Sequence, residues 1–101
     1  MSLVSDIGAD PLARDLRERI EAVDVAIVAA VNARIALVAE LWRLKEARGY
    51  AQVDRARETS MLELLARKNT GPLSTGGLED FYAALVELTK REVSAGKSPP
   101  A

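Results

Sequence analysis

A chain of 101 residues with 49% apolar and 29% charged side chains has the size and balance of one soluble, helix-rich domain. It contains neither Cys nor His, which excludes thiol nucleophiles, disulfides, histidine bases and the common zinc sites, and no metal or cofactor is expected. A formal net charge of −1 leaves no basic surplus to neutralise phosphates, so nucleic acid is not an expected partner.

Residues 1–9 show no periodicity and are expected to be loose; they also lack the basic-then-apolar order of a signal peptide. Asp10-Pro11 reads as a helix start, with Asp as N-cap and Pro at the first helical position, where its missing N–H costs nothing. No breaker follows until Arg48, and Gly49 can close the helix as a C-cap. At a rise of about 1.5 Å per residue such a helix is about 57 Å long, well beyond the usual globular helix.

Within this helix Ile20, Val23, Ile27, Ala30, Leu37, Leu41 and Leu44 step by threes and fours. Arg34 fills a place in that series where a Leu or Ile is expected. A second apolar row, Val28, Val31, Ile35, Val38 and Trp42, runs beside the first, and a helix so widely apolar is buried on several sides. The stretch 25–42 is about long enough to span a membrane, but Asn32, Arg34 and Glu40 interrupt it, and a central Arg is expensive in lipid. A soluble, cytoplasmic protein with no membrane partner is the expectation.

Lys45 follows Arg34 by about three turns, with a net rotation of roughly 20°, so the two cations share a face with Leu37, Leu41 and Leu44. No carboxylate stands one turn away on that stripe. Arginine often lifts its guanidinium to water from an apolar seat. Two cations without neutralising neighbours, however, point to an anionic ligand, because an uncompensated buried charge costs several kcal/mol.

A second helix is expected from near Asp54, which can cap the N–H groups ahead of Arg55, with Met61, Leu62, Leu64 and Leu65 as its apolar face and Asn69-Thr70-Gly71-Pro72 as its end. A third starts around Ser74 or Thr75, carries Leu78, Phe81, Tyr82, Leu85, Val86 and Leu88, and fades by Ser94 into a frayed tail. The reading is an all-α chain of three helices, a single domain over residues 10–94 with flexible termini at 1–9 and 95–101. The two short helices can cover only one flank of the long one. The other flank would expose Val, Ile and Leu over many turns, which predicts an obligate, intertwined homodimer.

Taken in order, Leu16-Arg17-Glu18-Arg19-Ile20, Val23-Asp24, Ala33-Arg34, Lys45, Asp54-Arg55-Ala56-Arg57-Glu58, Gly71-Pro72-Leu73-Ser74 and then Phe81-Tyr82, Leu85-Val86 and Thr89 resemble the small all-helical chorismate mutases, over about residues 12–93. The resemblance implies three helices per protomer in an entwined dimer and the pericyclic rearrangement of chorismate to prephenate in aromatic amino-acid biosynthesis. It implies that Arg17 reaches into the partner's site, that Arg34 binds a substrate carboxylate in its own protomer, and that Lys45 hydrogen-bonds the ether oxygen of the breaking bond. Glu58 would engage the substrate hydroxyl side with Arg57 beside it, Asp54 would belong to a segment contacting that hydroxyl, and Thr89 stands where a serine usually touches a carboxylate. Val93 departs from the pattern: the family commonly has a glutamine there that donates to the ether oxygen.

Several of these residues have plainer readings. Asp54 can be only an N-cap, Arg57 and Glu58 ordinary first-turn charges, Arg17 a solvated member of the charged run from Arg14 to Glu21, and Thr89 a solvent-facing threonine. Arg17 and Arg34, about 100° apart around one helix and roughly 25 Å apart along it, cannot reach one small ligand together. The chemistry of the resemblance suits a chain without Cys or His, because the rearrangement needs no nucleophile, proton relay or metal. Alternatives on the same fold are a mutase of 4-amino-4-deoxychorismate and a lyase releasing pyruvate from isochorismate. A chorismate-binding regulatory subunit, with an enzyme of the shikimate pathway as partner, and a purely structural helical dimerisation module are further readings.

Overall fold

The computed structural model describes residues 8–52 and 54–97. Most of these residues fall in three helices: α1, Pro11–Arg48; α2, Arg55–Lys68; and α3, Thr75–Lys97. No strand occurs among the described residues, and the fold is all-α as expected.

Local chemistry sets each helix end. Asp10 Oδ1 accepts from the Leu12 N–H at 2.9 Å, which satisfies one of the free donors of the first turn of α1. At the other end Gly49 takes a φ of 72°. Its N–H bonds to the Glu46 carbonyl at 3.3 Å, and the Tyr50 N–H reaches the Lys45 carbonyl at 2.8 Å. This pair of bonds is a Schellman closure, which favours glycine because a side chain there would be strained. Asp54 caps α2 by accepting from the Arg57 N–H at 2.9 Å. Ser74 Oγ does the same for α3, accepting from the Gly77 N–H at 3.0 Å.

The turn between α2 and α3 is braced by Asn69, whose Nδ2 donates to the Leu73 carbonyl and whose Oδ1 accepts from the Gly71 N–H. Gly71 has a φ of 82° and precedes a cis Pro72.

Two expectations at the termini need correction. Gly8 and Ala9 are already helical, and α3 continues to Lys97, past Ser94 and through Gly96. A glycine inside a helix costs only about 1 kcal/mol, so Gly96 does not stop α3. The expectations for residues 1–7 and 98–101 lie outside the described residues.

The chain divides into two units, residues 1–33 and 34–101. In the first, α1 is solvent-exposed along an apolar face: Leu12 is 75% exposed, Ile20 59% and Val28 60%. In the second, α2 packs on α3 and, among the described residues, the buried apolar side chains are Leu78, Tyr82 and Val93, all on α3. Neither α1 nor α2 contains a buried residue. By length and composition α1 could also cross a membrane.

Candidate active site

The second unit holds a cleft of about 600 Å³. One wall is the last turns of α1, with Arg34, Leu37, Val38, Leu41, Trp42 and Lys45. Gln52 and Asp54 of the connection, Arg57, Glu58, Met61 and Leu65 of α2, and Tyr82, Leu85, Val86, Thr89 and Lys90 of α3 complete it. The helical spacing read from the sequence explains this: Arg34, Leu37, Leu41 and Lys45 fall on one stripe of α1.

Its charges are unbalanced. Arg34, Lys45, Arg57 and Lys90 face Asp54 and Glu58, four cations against two carboxylates, a surplus of two positive charges. Apolar walls strengthen such a field because little water enters to screen it.

The cations are held in different ways. Arg34 is half-buried, and its Nη1 donates to Thr89 Oγ1. Thr89 is only 2% exposed, so it is not the solvent-facing threonine that a plain reading allows. Its hydroxyl donates a hydrogen bond to the Leu85 carbonyl at 2.7 Å. The hydroxyl is therefore oriented by the helix backbone to present a lone pair to the guanidinium. A neutral acceptor positions Arg34 without cancelling its charge.

Lys45, also half-buried, donates from Nζ to the Gln52 carbonyl at 3.2 Å. Gln52 Nε2 in turn meets the Trp42 carbonyl at 3.4 Å, so the connection after α1 folds back onto its last turns. Gln52 Oε1 is buried with no partner among the described residues. The described ion pairs are Lys90–Glu58 at 3.1 Å and an exposed Arg19–Asp15 contact at 3.7 Å; neither involves Arg34, Lys45 or Arg57.

Six of the eight residues singled out from the sequence therefore meet at one cleft: Arg34, Lys45, Asp54, Arg57, Glu58 and Thr89. Two do not line it. Arg17 is exposed in the first unit, and Val93, 3% exposed, is packed into the interior one turn beyond Thr89. Lys90, Gln52 and Tyr82 line the cleft without having been singled out for it. For Lys90 a signal existed, since Tyr82, Val86 and Lys90 recur every fourth residue and so share a face of α3. For Gln52 none did, because it sits in a connection where periodicity has no meaning.

Comparison with protein families supplies the deciding observation: the model described as chorismate mutase type II matches residues 16–93. The chain belongs to the type II chorismate mutase family. The matched span contains every cleft residue as well as Arg17 and Val93. No curated protein matches the chain. Membership makes the chain, at the level of the family, an isomerase that acts on chorismate.

Proposed function

We propose that this chain converts chorismate to prephenate in the cytoplasm, in aromatic amino-acid biosynthesis, as a homodimer whose two sites each draw on both copies. The observation that carries the reading is the convergence of Arg34, Lys45 and Arg57 on one apolar-walled cleft with an excess of two positive charges.

The reaction breaks a C–O bond as a C–C bond forms within one molecule, so catalysis consists of selecting a conformer and stabilising the charge that develops. Arg34, held in place by Thr89, clamps one carboxylate with its forked donors. Fixing the carboxylates brings the enolpyruvyl group over the ring, which removes orientational freedom before the chemical step. As the ether bond lengthens, its oxygen gains negative charge. The Lys45 ammonium beside it stabilises that charge more in the transition state than in the ground state. Glu58 accepts from the ring hydroxyl, Arg57 holds the polar end of the pocket, and Asp54 fixes the start of α2 that presents both. Thr89 acts by orienting Arg34. Val93 offers no donor, which leaves the ether oxygen to Lys45.

The exposed face of α1 supports a second copy. Leu16, Ile20, Val23 and Ile27 are each close to half exposed or more, and a single helix has nothing of its own to cover them with. Packing two α1 helices together buries this face, and it delivers each Arg17 to the other copy's cleft.

The test is to incubate the purified protein separately with chorismate, 4-amino-4-deoxychorismate and isochorismate and to follow the products. Prephenate formed from chorismate supports the proposal. Turnover of only the amino compound, or pyruvate release from isochorismate, would overturn it. Weak chorismate turnover that rises on adding the first enzyme of the shikimate pathway would assign a regulated form of the same activity.

A further inference from the structure

Lys90 differs from the other cations of the cleft in being tied to a carboxylate. Its Nζ lies 3.1 Å from Glu58 Oε1, bridging α3 to α2, with the two side chains 35% and 33% exposed. The pair lines the main cleft and also a smaller cavity of about 310 Å³ between α2 and α3 that shares Tyr82 and Val86 with it. Lys90 and Glu58 thus form part of the partition between the two spaces. A partly solvated pair of this kind contributes little to stability. Its effect falls instead on whatever approaches Glu58.

We propose that Lys90 is a specificity-determining residue, which by neutralising Glu58 makes the cleft accept a neutral hydroxyl and reject an ammonium at the substrate position facing that carboxylate. The inference rests on the chorismate reading above and deepens it. A lone carboxylate in a cleft attracts a cation. A carboxylate already paired with an ammonium still has free lone pairs for an O–H donor, but its charge is offset. A substrate ammonium placed there would also meet Lys90 as a like charge, the repulsive element that discrimination between near-identical ligands needs. Chorismate carries a hydroxyl at the ring position where 4-amino-4-deoxychorismate carries an amine, protonated at neutral pH, so these two compounds differ in the group that Lys90 reads.

The experiment compares the two compounds on the full-length wild type, Lys90→Met and Lys90→Arg. It uses kcat/KM where a compound is turned over and the competitive inhibition constant where it is not. Met keeps the aliphatic stem and removes the charge; Arg keeps the charge. Lys90→Met should shift preference toward the amino compound by about fivefold, the scale of a partly screened charge pair, and Lys90→Arg should retain the wild-type preference. A structural defect would lower both compounds together, so equal losses in Lys90→Met overturn the proposal. An unchanged preference in a wild-type-like Lys90→Met enzyme does the same. Failure of the wild type to convert chorismate would overturn the parent reading, and this one with it.

Discussion

Arg34 shows how a cation can be kept in an apolar wall without being neutralised. Thr89 donates its hydrogen bond to the Leu85 carbonyl and offers its lone pair to the guanidinium, so the charge is aimed but not cancelled. Thr89→Val, nearly the same shape, removes that acceptor and should lower kcat/KM for chorismate about tenfold, the scale of one hydrogen bond to a charged group. Steady-state kinetics on a variant with an unchanged circular dichroism spectrum checks this. Lys45→Ala should cost on the order of 10²–10³ in kcat with a much smaller effect on KM, because the ammonium acts on charge that exists only in the transition state. A variant that changed KM alone would place Lys45 in ground-state binding. At this scale the sequence showed Arg34 and Lys45 well, because a charge interrupting a helical apolar stripe is a visible exception. Lys90 was legible only as a member of the Tyr82, Val86, Lys90 stripe of α3, whereas Gln52 was hidden, since its place depends on how the connection after α1 folds back.

Among the elements, α1 was legible from end to end because its stop and start signals are local. Asp10 with Pro11 and Gly49 with its Schellman bonds are chemistry of a few adjacent residues. The end of α3 was less so: Gly96 is a weak breaker, and the helix runs through it to Lys97. Asp54 lies between the two roles the sequence offered. Its carboxylate caps α2 and at the same time lines the cleft. Asp54→Ala should therefore cost about 1 kcal/mol of stability, read from thermal or urea unfolding, while Asp54→Asn keeps the cap and most of that stability. If Asn also keeps KM for chorismate, the cap is the whole role; if KM rises, the carboxylate's charge acts on the ligand as well.

For the whole molecule, the sequence left an arithmetic imbalance between one long apolar helix and two short ones, and the exposed Leu16, Ile20, Val23 and Ile27 express it in atoms. What covers that face is information that no single chain carries. If two copies are joined through α1, sedimentation should give a dimer whose melting temperature rises with protein concentration. Ile20→Asp, which places a charge in that face, should yield a monomer of lower stability. A wild-type protein that sediments as a monomer at micromolar concentration would remove the basis for a shared site. Completion of each cleft by Arg17 of the other copy is tested most directly by subunit exchange. Arg17→Ala and Lys45→Ala homodimers, each nearly inactive, are mixed and allowed to exchange, and prephenate formation is followed. A site shared across the dimer predicts recovery to about a quarter of the wild-type rate, because half the dimers become mixed and each mixed dimer has one complete site. No recovery above the sum of the two variants would contradict the account.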